Sequence, residues 1–447
     1  MNFNTLDIQA PLVQNLQRLG YEKMTPIQQE ALPYILQNKD VLAQAQTGSG
    51  KTATFGIGLL NKLDVKLFRV QSLVLCPTRE LAQQVAKELR LLAKFKHNIK
   101  ILLLCGGESF FKQLNSLSHQ AHIIVATPGR ALKHLKKDSL SLEHLNTLVL
   151  DEADRMLDMG FLEEVSEVLD FAPKQRQTLL FSATYTDEIL ELSKTIQKDA
   201  VFVKVEAKKS KLTQKFFKVD EDEKLKTLVD VFTTFNPKNA IVFTSTKIKA
   251  DEVSQELQKY SIDALSLHGD LEQYERNDVL MQFSNSSCRI LVATDVASRG
   301  LDIKELSLVV NYDMPFEKEV YVHRVGRTAR KDESGLSVSF YSYDEQLDEY
   351  EDVEVEDTAT LKNDDKFCMK SEYISLVIEG GKKDKLRAMD ILGALTNNSK
   401  LQGSDVGKID IYDKQSYVAI KSSLIDEAYD TLKYTKIKTK KFSVWVL

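Results

Sequence analysis

The chain has 447 residues, 43% of them hydrophobic, which is enough for several domains with their own apolar cores. No apolar run is as long as a membrane span, and the first residues lack the pattern of a signal peptide, which favours a cytoplasmic protein over a membrane-bound or secreted one. The net charge of −5 is unevenly distributed, because residues 344–365 hold eleven acidic side chains and one lysine, whereas residues 366–447 hold fifteen basic and ten acidic ones. We therefore expect a flexible acidic linker followed by a basic tail.

Residues 45–52, with the sequence AQTGSGKT, have the pattern of a phosphate-binding loop in which Ala45 replaces the usual first glycine. Lys51 is expected to reach the β and γ phosphates, and the Thr52 hydroxyl is expected to bind Mg²⁺. Backbone N–H groups of the other loop residues can surround the anion. These other residues are Ala45, Gln46, Thr47, Gly48, Ser49 and Gly50.

Apolar, β-branched runs then alternate with helical patterns, which predicts two open parallel α/β sheets. The predicted strands of the first series are 73–76, 101–104, 123–126, 147–150 and 178–181. Those of the second series are 241–243, 264–267, 290–292, 308–310 and 338–340. The polar stretch from Glu206 to Lys215 is predicted to link the two series. The cysteines are far apart and lack CxxC spacing, so we expect reduced thiols rather than disulfides or a zinc site.

The sequence Asp151-Glu152-Ala153-Asp154 directly follows a predicted buried strand, so its carboxylates emerge at the carboxyl end of the sheet. Asp151 is expected to hold a metal ion, and Glu152 is expected to polarise an attacking water. Together with the phosphate-binding loop, this motif predicts hydrolysis of a nucleoside triphosphate. The structural alternative is a tight turn and a solvated acidic helix start.

In chain order, these motifs resemble the DEAD-box family of ATP-dependent RNA helicases over essentially the whole of the first two domains. The resemblance implies two RecA-like parallel-sheet domains, with ATP and Mg²⁺ bound in the first. It includes an opening segment, Gly20 to Gln28, in which the Gln28 amide can pair with N6 and N7 of adenine. Tyr21 or Phe3 is expected to stack on or near the base, and Thr25 is also expected to contact the nucleotide. Alternatively, the segment is an ordinary helix start that is capped at Thr25 and leaves Gln28 solvated.

Three further motifs of the first domain, PTREL, GG and TPGR, each follow a predicted strand and bind single-stranded RNA in the family. Their hydroxyls, backbone amides and arginines suit phosphate and ribose contacts. Singly, each could instead be a capping turn. The RNA-binding residues implied are Thr78, Arg79, Gly107, Thr127, Gly129 and Arg130. Ser182 and Thr184, in the sequence SAT, are expected to couple hydrolysis to domain movement.

The second domain carries the remaining family motifs. The resemblance places Asp302 near the ribose and His323 near Asp154, and it implies RNA contacts by Thr244, Gly269, Arg276 and Thr294. Arg324, Arg327 and Arg330 are three residues apart, which predicts one helical face that needs an anionic partner. Arg327 and Arg330 resemble arginine fingers for the γ-phosphate. A solvated basic face is the alternative.

The tail alternates strands and helices in an order that predicts a small α+β domain resembling an RNA-recognition motif. The predicted elements are strand 373–378, helix 386–395, strand 407–411, strand 417–420, helix 424–434 and strand 442–446. Its sequence resembles the tail of DbpA-type bacterial helicases, which binds a hairpin of 23S ribosomal RNA. A sheet that stacks RNA bases needs more than one aromatic residue, whereas the strand at 417–420 offers Tyr417 alone. We therefore expect recognition by basic residues. The candidates are Lys382, Lys383, Lys385, Arg387 and Lys408.

We therefore expect an α/β protein with RecA-like domains at 1–206 and 212–345, an acidic linker at 346–368 and an RNA-binding domain at 369–447. The expected function is ATP-dependent, local unwinding of ribosomal RNA in the pre-ribosomal large subunit. The alternative is a general RNA remodeller, or an ATP-gated RNA clamp, whose tail has another partner. A DNA translocase is disfavoured by the family motifs.

Overall fold

The computed structural model describes residues 1–45, 48–205, 212–295, 306–328, 335–342, 353–364, 366–397 and 400–447. The described residues form two compact units, one up to residue 205 and the other from residue 212 onward. No helix within these ranges is both long and apolar enough to span a membrane.

The first unit contains a parallel sheet in which seven strands are described, in the order β3-β4-β2-β5-β6-β1-β7. The strands are β1 Val41–Gln44, β2 Ser72–Leu75, β3 Ile101–Leu104, β4 Ile123–Ala126, β5 Thr147–Asp151, β6 Gln177–Ser182 and β7 Val201–Lys204. The helices are α1 Ala10–Arg18, α2 Pro26–Leu36, α3 Lys51–Asn61, α4 Arg79–Leu92, α5 Phe110–Leu117, α6 Pro128–Leu135, α7 Ala153–Asp158, α8 Leu162–Asp170 and α9 Asp187–Ile196.

Helices cover both faces of this sheet, and the strands are accordingly apolar at almost every position. Neighbouring side chains of a strand point to opposite faces. In β5, Val149 packs in one hydrophobic core, whereas Leu148 and Leu150 pack in another. The five strands predicted in this unit are confirmed, but the sequence reading missed the short strands β1 and β7.

The second unit begins with another parallel sheet, whose described strands have the order β10-β11-β9-β12-β13-β8-β14. The strands are β8 Leu212–Lys218, β9 Ala240–Phe243, β10 Ala264–Leu267, β11 Ile290–Ala293, β12 Leu308–Asn311, β13 Gly335–Tyr341 and β14 Val353–Glu356. The described helices are α10 Lys224–Phe235, α11 Lys247–Lys259, α12 Gln273–Ser284 and α13 Lys318–Val325.

Two segments predicted as linkers contain strands. β8 begins at Leu212, inside the stretch predicted to join the two sheets, and β14 lies inside the predicted acidic linker. β14 pairs in parallel with β8, and Lys215 of β8 forms ion pairs with Glu354 and Glu356. The prediction of a flexible segment is therefore wrong for β14. Its alternating Val-Glu-Val-Glu sequence has the two-residue period of an edge strand, but the acidic composition of the segment obscured this pattern.

The last part of the chain forms a four-stranded antiparallel sheet of order β16-β17-β15-β18. Its elements are β15 Tyr373–Ile378, α14 Ala388–Thr396, β16 Val406–Ile411, β17 Ser416–Lys421, α15 Ile425–Tyr434 and β18 Val444–Val446. They appear in the predicted order. Alternate residues such as Leu376 and Val418 form a core with the two helices.

The opposite face of this small sheet packs against the second unit's α12 and the loop after it. The Tyr417 hydroxyl donates to Asp278 at 2.7 Å, and the Asn285 amide donates to the Ser375 hydroxyl at 2.7 Å. Just before the domain, fully buried Met369 pairs with the backbone beside Ile262, at the edge of the larger sheet. The C-terminal domain is thus joined to the second unit by backbone pairing and by its sheet face.

Candidate functional site

The candidate site of the first unit lies at one edge of its sheet, because parallel strands place their carboxyl ends on the same side. Three neighbouring strands, β5, β6 and β1, lead into the Asp151 motif, the Ser182 motif and the phosphate-binding loop. The next three, β2, β4 and β3, lead into the three motifs predicted to bind RNA. The strand order therefore groups the predicted ATP residues and the predicted RNA residues into two adjacent halves.

The phosphate-binding loop enters α3 through Gly50, whose φ of 97° is in the left-handed region that favours glycine. A Cβ atom here would also lie 2.9 Å from Nε2 of Gln28, so a larger residue does not fit. Lys51 follows as the first residue of α3, and its buried Nζ has no hydrogen-bond partner among the described residues. Thr52 is half-buried beside it, while Gln46 and Thr47 lie outside the described residues.

Asp151 and Glu152 occupy buried positions where β5 ends. Burial raises the pKa of Asp151 to about 7, an effect that Lys51 opposes and Glu152 increases. One oxygen of Asp151, Oδ1, is buried without a hydrogen-bond partner in the described structure. Glu152 has a φ of 55°, which is rare for a residue with a side chain, and it forms a 2.9 Å ion pair with Arg155. The site thus holds a carboxylate oxygen and an ammonium group, both poised for a polar ligand.

Asp154 links the Asp151 motif to the end of β6. Its Oδ2 accepts hydrogen bonds from the backbone N–H groups of Ala183 and Thr184, each at 2.9 Å, and from the Thr184 hydroxyl at 3.1 Å. The neighbouring Ser182 is fully buried, and its hydroxyl has no partner within the described ranges. A displacement of the Asp151 motif would therefore also displace the Ser182 motif, and the reverse.

The predicted adenine-binding segment packs directly on the phosphate-binding loop. Gln28 is only 1% exposed; its Oε1 accepts from the Thr25 backbone N–H at 2.9 Å, and its Nε2 lies 3.5 Å from the Gly50 carbonyl oxygen. The alternative of a solvated Gln28 is therefore wrong. Phe3 is 3% exposed and belongs to the hydrophobic core, so it offers no free ring face for a base. The half-buried Tyr21, whose hydroxyl donates to Glu88 at 3.3 Å, remains the candidate for stacking.

The first two predicted RNA motifs contact each other through Arg79 and Gly106. Thr78 caps α4 by accepting from the Leu81 N–H at 3.2 Å, which fixes Arg79 at the helix start. A Cβ atom on Gly106 would lie 2.9 Å from Nη2 of Arg79, so glycine permits this close approach. Gly107 follows Gly106 at the same sheet edge.

The third predicted RNA motif starts α6. Thr127 stands before the helix, Gly129 is exposed, and the half-exposed Arg130 donates to Oε1 of Gln113 at 3.0 Å. Arg130 is thus oriented by a neighbouring helix and not simply solvated. No sequence motif singles out Gln113.

The second unit repeats this layout at the carboxyl edge of its own sheet. Thr244, Thr294 and Gly269 follow the neighbouring strands β9, β11 and β10, and Arg276 lies in α12. Thr244 and Thr294 are buried, which leaves mainly their backbone for an RNA contact, whereas Gly269 is exposed. Asp302 lies outside the described residues.

Arg324 is a structural residue of the second unit. Its Nε and Nη2 donate to the two carboxylate oxygens of Asp295, each at 2.7 Å, and its Nη1 donates to Asn311 and to the Asp313 carbonyl. The predicted arginine face is therefore wrong in two respects. The anionic partner of Arg324 is Asp295, and α13 ends at Val325, before Arg327.

His323 lies in α13, and the buried Arg327 follows that helix. Arg330 lies outside the described residues. Arg327 and Arg330 remain separate candidates for phosphate binding. They can no longer be grouped on one helical face, because α13 ends before Arg327.

In the C-terminal domain, the four predicted basic residues of residues 382–387 are exposed. The loop that carries them is held by backbone bonds from Lys382 to Tyr412 at 2.7 Å and from Lys383 to Asp413 at 3.0 Å. Lys408 instead donates to the Ser284 hydroxyl at 2.8 Å and pairs with Asp410 at 2.9 Å. Lys408 therefore takes part in the contact with α12.

Comparison with known proteins agrees with this layout. Residues 25–192 match the DEAD/DEAH box helicase family, residues 223–332 the helicase conserved C-terminal domain, and residues 375–446 the DbpA RNA binding domain. The chain is 47% identical over its full length to the ATP-dependent RNA helicase DbpA of Escherichia coli, of which it covers 99%. It is 36% identical to the DbpA of Bacillus subtilis, with 99% of this chain and 98% of that protein covered.

The chain belongs to the DEAD-box ATP-dependent RNA helicases. Among solved structures, it is similar to Saccharomyces cerevisiae Dbp5 bound to RNA and ADP BeF3, with a TM-score of 0.71 and 28% identity. That match covers 80% of this chain and 96% of the Dbp5 chain. The family membership, its DbpA-like character, and the two parallel-sheet domains with a small C-terminal domain are therefore confirmed. This helicase is an RNA-stimulated ATPase.

Proposed function

We propose that this helicase locally unwinds or remodels 23S ribosomal RNA in the pre-ribosomal large subunit, in the cytoplasm. Its C-terminal domain directs the ATPase to a hairpin region of that RNA. The proposed division is 1–206 for ATP binding, 212–345 for the second helicase domain and 369–447 for RNA targeting. The DbpA RNA binding domain at residues 375–446, with its exposed basic loop, is the observation that carries the proposal.

ATP and Mg²⁺ suit the residues of the first unit. The Nζ of Lys51 and Oδ1 of Asp151 are buried and lack hydrogen-bond partners in the described structure, as expected of groups that await a charged ligand. The Asp151 carboxylate and the Thr52 hydroxyl are hard oxygen donors, which Mg²⁺ prefers. Mg²⁺ bound there would neutralise phosphate charge. In this proposal Gln28 and Tyr21 bind the adenine.

The remaining predicted residues have distinct proposed roles in turnover. Glu152 orients and polarises the attacking water, and its ion pair with Arg155 at 2.9 Å holds the carboxylate in place. Arg327 and Arg330 neutralise charge on the terminal phosphate during hydrolysis. Asp302 binds the ribose, and Ser182, Thr184 and His323 couple hydrolysis to the release of RNA.

The covered sheet face limits where the C-terminal domain can bind RNA. Domains of this architecture commonly stack bases on the sheet, but here Tyr417 is only 4% exposed and is bonded to Asp278. A cavity of about 520 Å³ lies elsewhere, between α14 and α15, with Tyr434, Lys436 and Lys438 in its lining. Lys438 also donates to the backbone of Lys385, so the cavity adjoins the basic loop. We assign RNA recognition to this side of the domain.

Stimulation of the ATPase by different nucleic acids tests the proposal. A 23S fragment that contains the target hairpin should reach half-maximal stimulation at a far lower concentration than the same fragment without the hairpin, and DNA should not stimulate. A chain that ends after Ser371 keeps the buried Met369 and should lose this preference while retaining its response to bulk RNA. Equal stimulation by both fragments would favour the general RNA remodeller, and stimulation by DNA would favour a translocase.

A further inference from the structure

Gln113 lies between the loop after β3 and the start of α6, whose backbones also meet where the Thr127 N–H donates to the Leu104 carbonyl at 3.2 Å. It belongs to α5, is 3% exposed, and uses both ends of its amide. Nε2 donates to the carbonyl oxygen of Cys105 at 2.9 Å, directly before Gly106 and Gly107. Oε1 accepts from Arg130 at 3.0 Å. One side chain thus connects the loop after β3 with the start of α6.

The orientation of this amide is fixed by its partners. The Arg130 guanidinium can only donate, so the oxygen of the amide must face it. The nitrogen then faces two acceptors, the Cys105 carbonyl at 2.9 Å and the Glu108 carboxylate at 3.5 Å. A flipped amide would place a donor against Arg130 and an oxygen against the Cys105 carbonyl.

His134 supports the same oxygen from a fully buried position in α6. Its Nε2 lies 3.1 Å from Oε1 of Gln113, and its Nδ1 lies 2.9 Å from the Ser139 hydroxyl. Because Oε1 can only accept, Nε2 carries a proton. The Ser139 hydroxyl, which also donates to the His134 carbonyl oxygen at 2.9 Å, lies beside Nδ1. The imidazole also stacks on Phe110 of α5, with ring centroids 4.3 Å apart and 12° between the planes. Burial, with Arg130 and Lys133 nearby, lowers the pKa of His134 to about 4, which agrees with a neutral ring.

We propose that Gln113 is the positioning residue that sets Arg130 and the Gly106-Gly107 loop in register for a single RNA strand, with His134 holding its amide. Arg79 extends the connection, because its guanidinium packs on Gly106. All three predicted RNA motifs of the first unit are thereby joined in one chain of contacts. The inference rests on the proposal that these motifs bind RNA.

The link through Gln113 should favour RNA binding, compared with loops that move independently. A solvated arginine must lose side-chain entropy when it binds a phosphate, whereas Arg130 already donates one N–H to Gln113 and keeps its others for an anion. Successive phosphates of a strand have a fixed spacing, so binding is favoured when the loops that contact them are fixed relative to each other. Loss of Gln113 should therefore weaken RNA binding without altering the ATP site.

Gln113→Leu in the full-length chain tests this role, since leucine fills similar space and forms no hydrogen bond. We expect the RNA concentration for half-maximal ATPase to rise about tenfold or more, with the KM for ATP and the maximal rate nearly unchanged. Lost phosphate binding by Arg130 should also lower the slope of log affinity against log salt by about 0.7, the value for one contact to a single strand. General destabilisation would change the ATP parameters as well and would leave that slope unaltered.

Gln113→Glu is the conservative variant, because a carboxylate still accepts from Arg130 and His134 but cannot donate to Cys105. It should restore much of the slope of log RNA affinity against log salt. Histidine NMR should show a higher pKa for His134 because of the new neighbouring charge. Gln175→Leu is the matched control, since Gln175 is exposed before β6, at the opposite edge of the sheet. It should match the unaltered protein in every measurement.

Arg130→Ala separates failure of this inference from failure of the proposed function. If Arg130→Ala weakens RNA binding while Gln113→Leu does not, the motif binds RNA and the positioning role is wrong. If neither substitution changes the RNA dependence or the salt slope, the assignment of this motif to RNA is itself overturned.

Discussion

The hydrogen bond from Tyr417 to Asp278 should be a principal contact that holds the C-terminal domain on the second unit. The hydroxyl lies 2.7 Å from a carboxylate oxygen, and the tyrosine is buried in the contact. A hydrogen bond to a charged acceptor contributes about 1.5–3 kcal/mol. Tyr417→Phe keeps the ring and removes this bond, so docking should weaken by about 10- to 150-fold.

Asp278→Asn should have a smaller effect than Tyr417→Phe. Burial raises the pKa of Asp278, although the hydrogen bond from Tyr417 opposes this, so the carboxylate is held where its charge is unfavourable. Asparagine keeps an oxygen that can accept from Tyr417 and removes the charge. In the Asp278→Asn background, Tyr417→Phe should therefore weaken docking of the C-terminal domain by only about 1 kcal/mol, the value for a neutral hydrogen bond.

Hydrogen exchange on the full-length chain measures this docking, because amides in the contact exchange when the domain opens locally. Protection of α12 and β17 should fall in Tyr417→Phe, while protection of the first unit stays constant. Tyr412→Phe is the control, because its ring lies 5.8 Å from that of Tyr417 but, among the described residues, its hydroxyl bonds only to the sulfur of Met281, a weak acceptor. Unchanged protection in Tyr417→Phe, or equal loss in both variants, would refute the reasoning.

Three further variants test the predicted ATP site and the tail. Glu152→Gln should keep ATP and RNA binding but abolish multiple-turnover ATPase, because the amide preserves shape without polarising water; normal turnover would contradict the assignment. Arg327→Ala should cut hydrolysis by about 10³-fold or more with little change in the affinity of the first unit for ATP, as measured by nucleotide titration and single-turnover kinetics. Replacing Lys382, Lys383 and Lys385 with Glu should raise the concentration of 23S fragment needed for half-maximal ATPase stimulation. This concentration should change by a larger factor than the maximal ATPase rate, and the change should be largest at low salt.

The sequence predicted those features that are encoded by neighbouring residues. Buried parallel strands are continuous apolar runs, so most of the central strands could be located directly. The phosphate-binding loop and the Asp151 motif follow such strands, so their place at one sheet edge could be predicted from the sequence. β14 was missed because its valines alternate with glutamates in an acidic stretch, and composition outweighed periodicity.

Contacts between distant parts of the chain could not be predicted in this way. The partner of Arg324 is Asp295, 29 residues earlier, and no local pattern distinguishes a paired arginine from one that awaits a phosphate. Gln113 is similarly inconspicuous, because it acquires a role only when α5 and α6 come together. The orientation of the C-terminal sheet toward α12 depends on Ser375 and Tyr417, which alternate with core residues and could equally have faced solvent.

The strand order of the first sheet places the predicted ATP residues next to the predicted RNA residues. β2, which leads to the first RNA motif, pairs with β5, which ends at Asp151, and Leu75 and Leu150 are partners in that pairing. Burial and the nearby Asp151 carboxylate raise the pKa of Cys76, the residue directly after β2. The predicted ATP site is therefore one strand away from the nearest predicted RNA loop. Because Gly106 and Gln113 join that loop to the others, a displacement at the β2–β5 boundary can reach every predicted RNA motif of this unit through short, direct contacts.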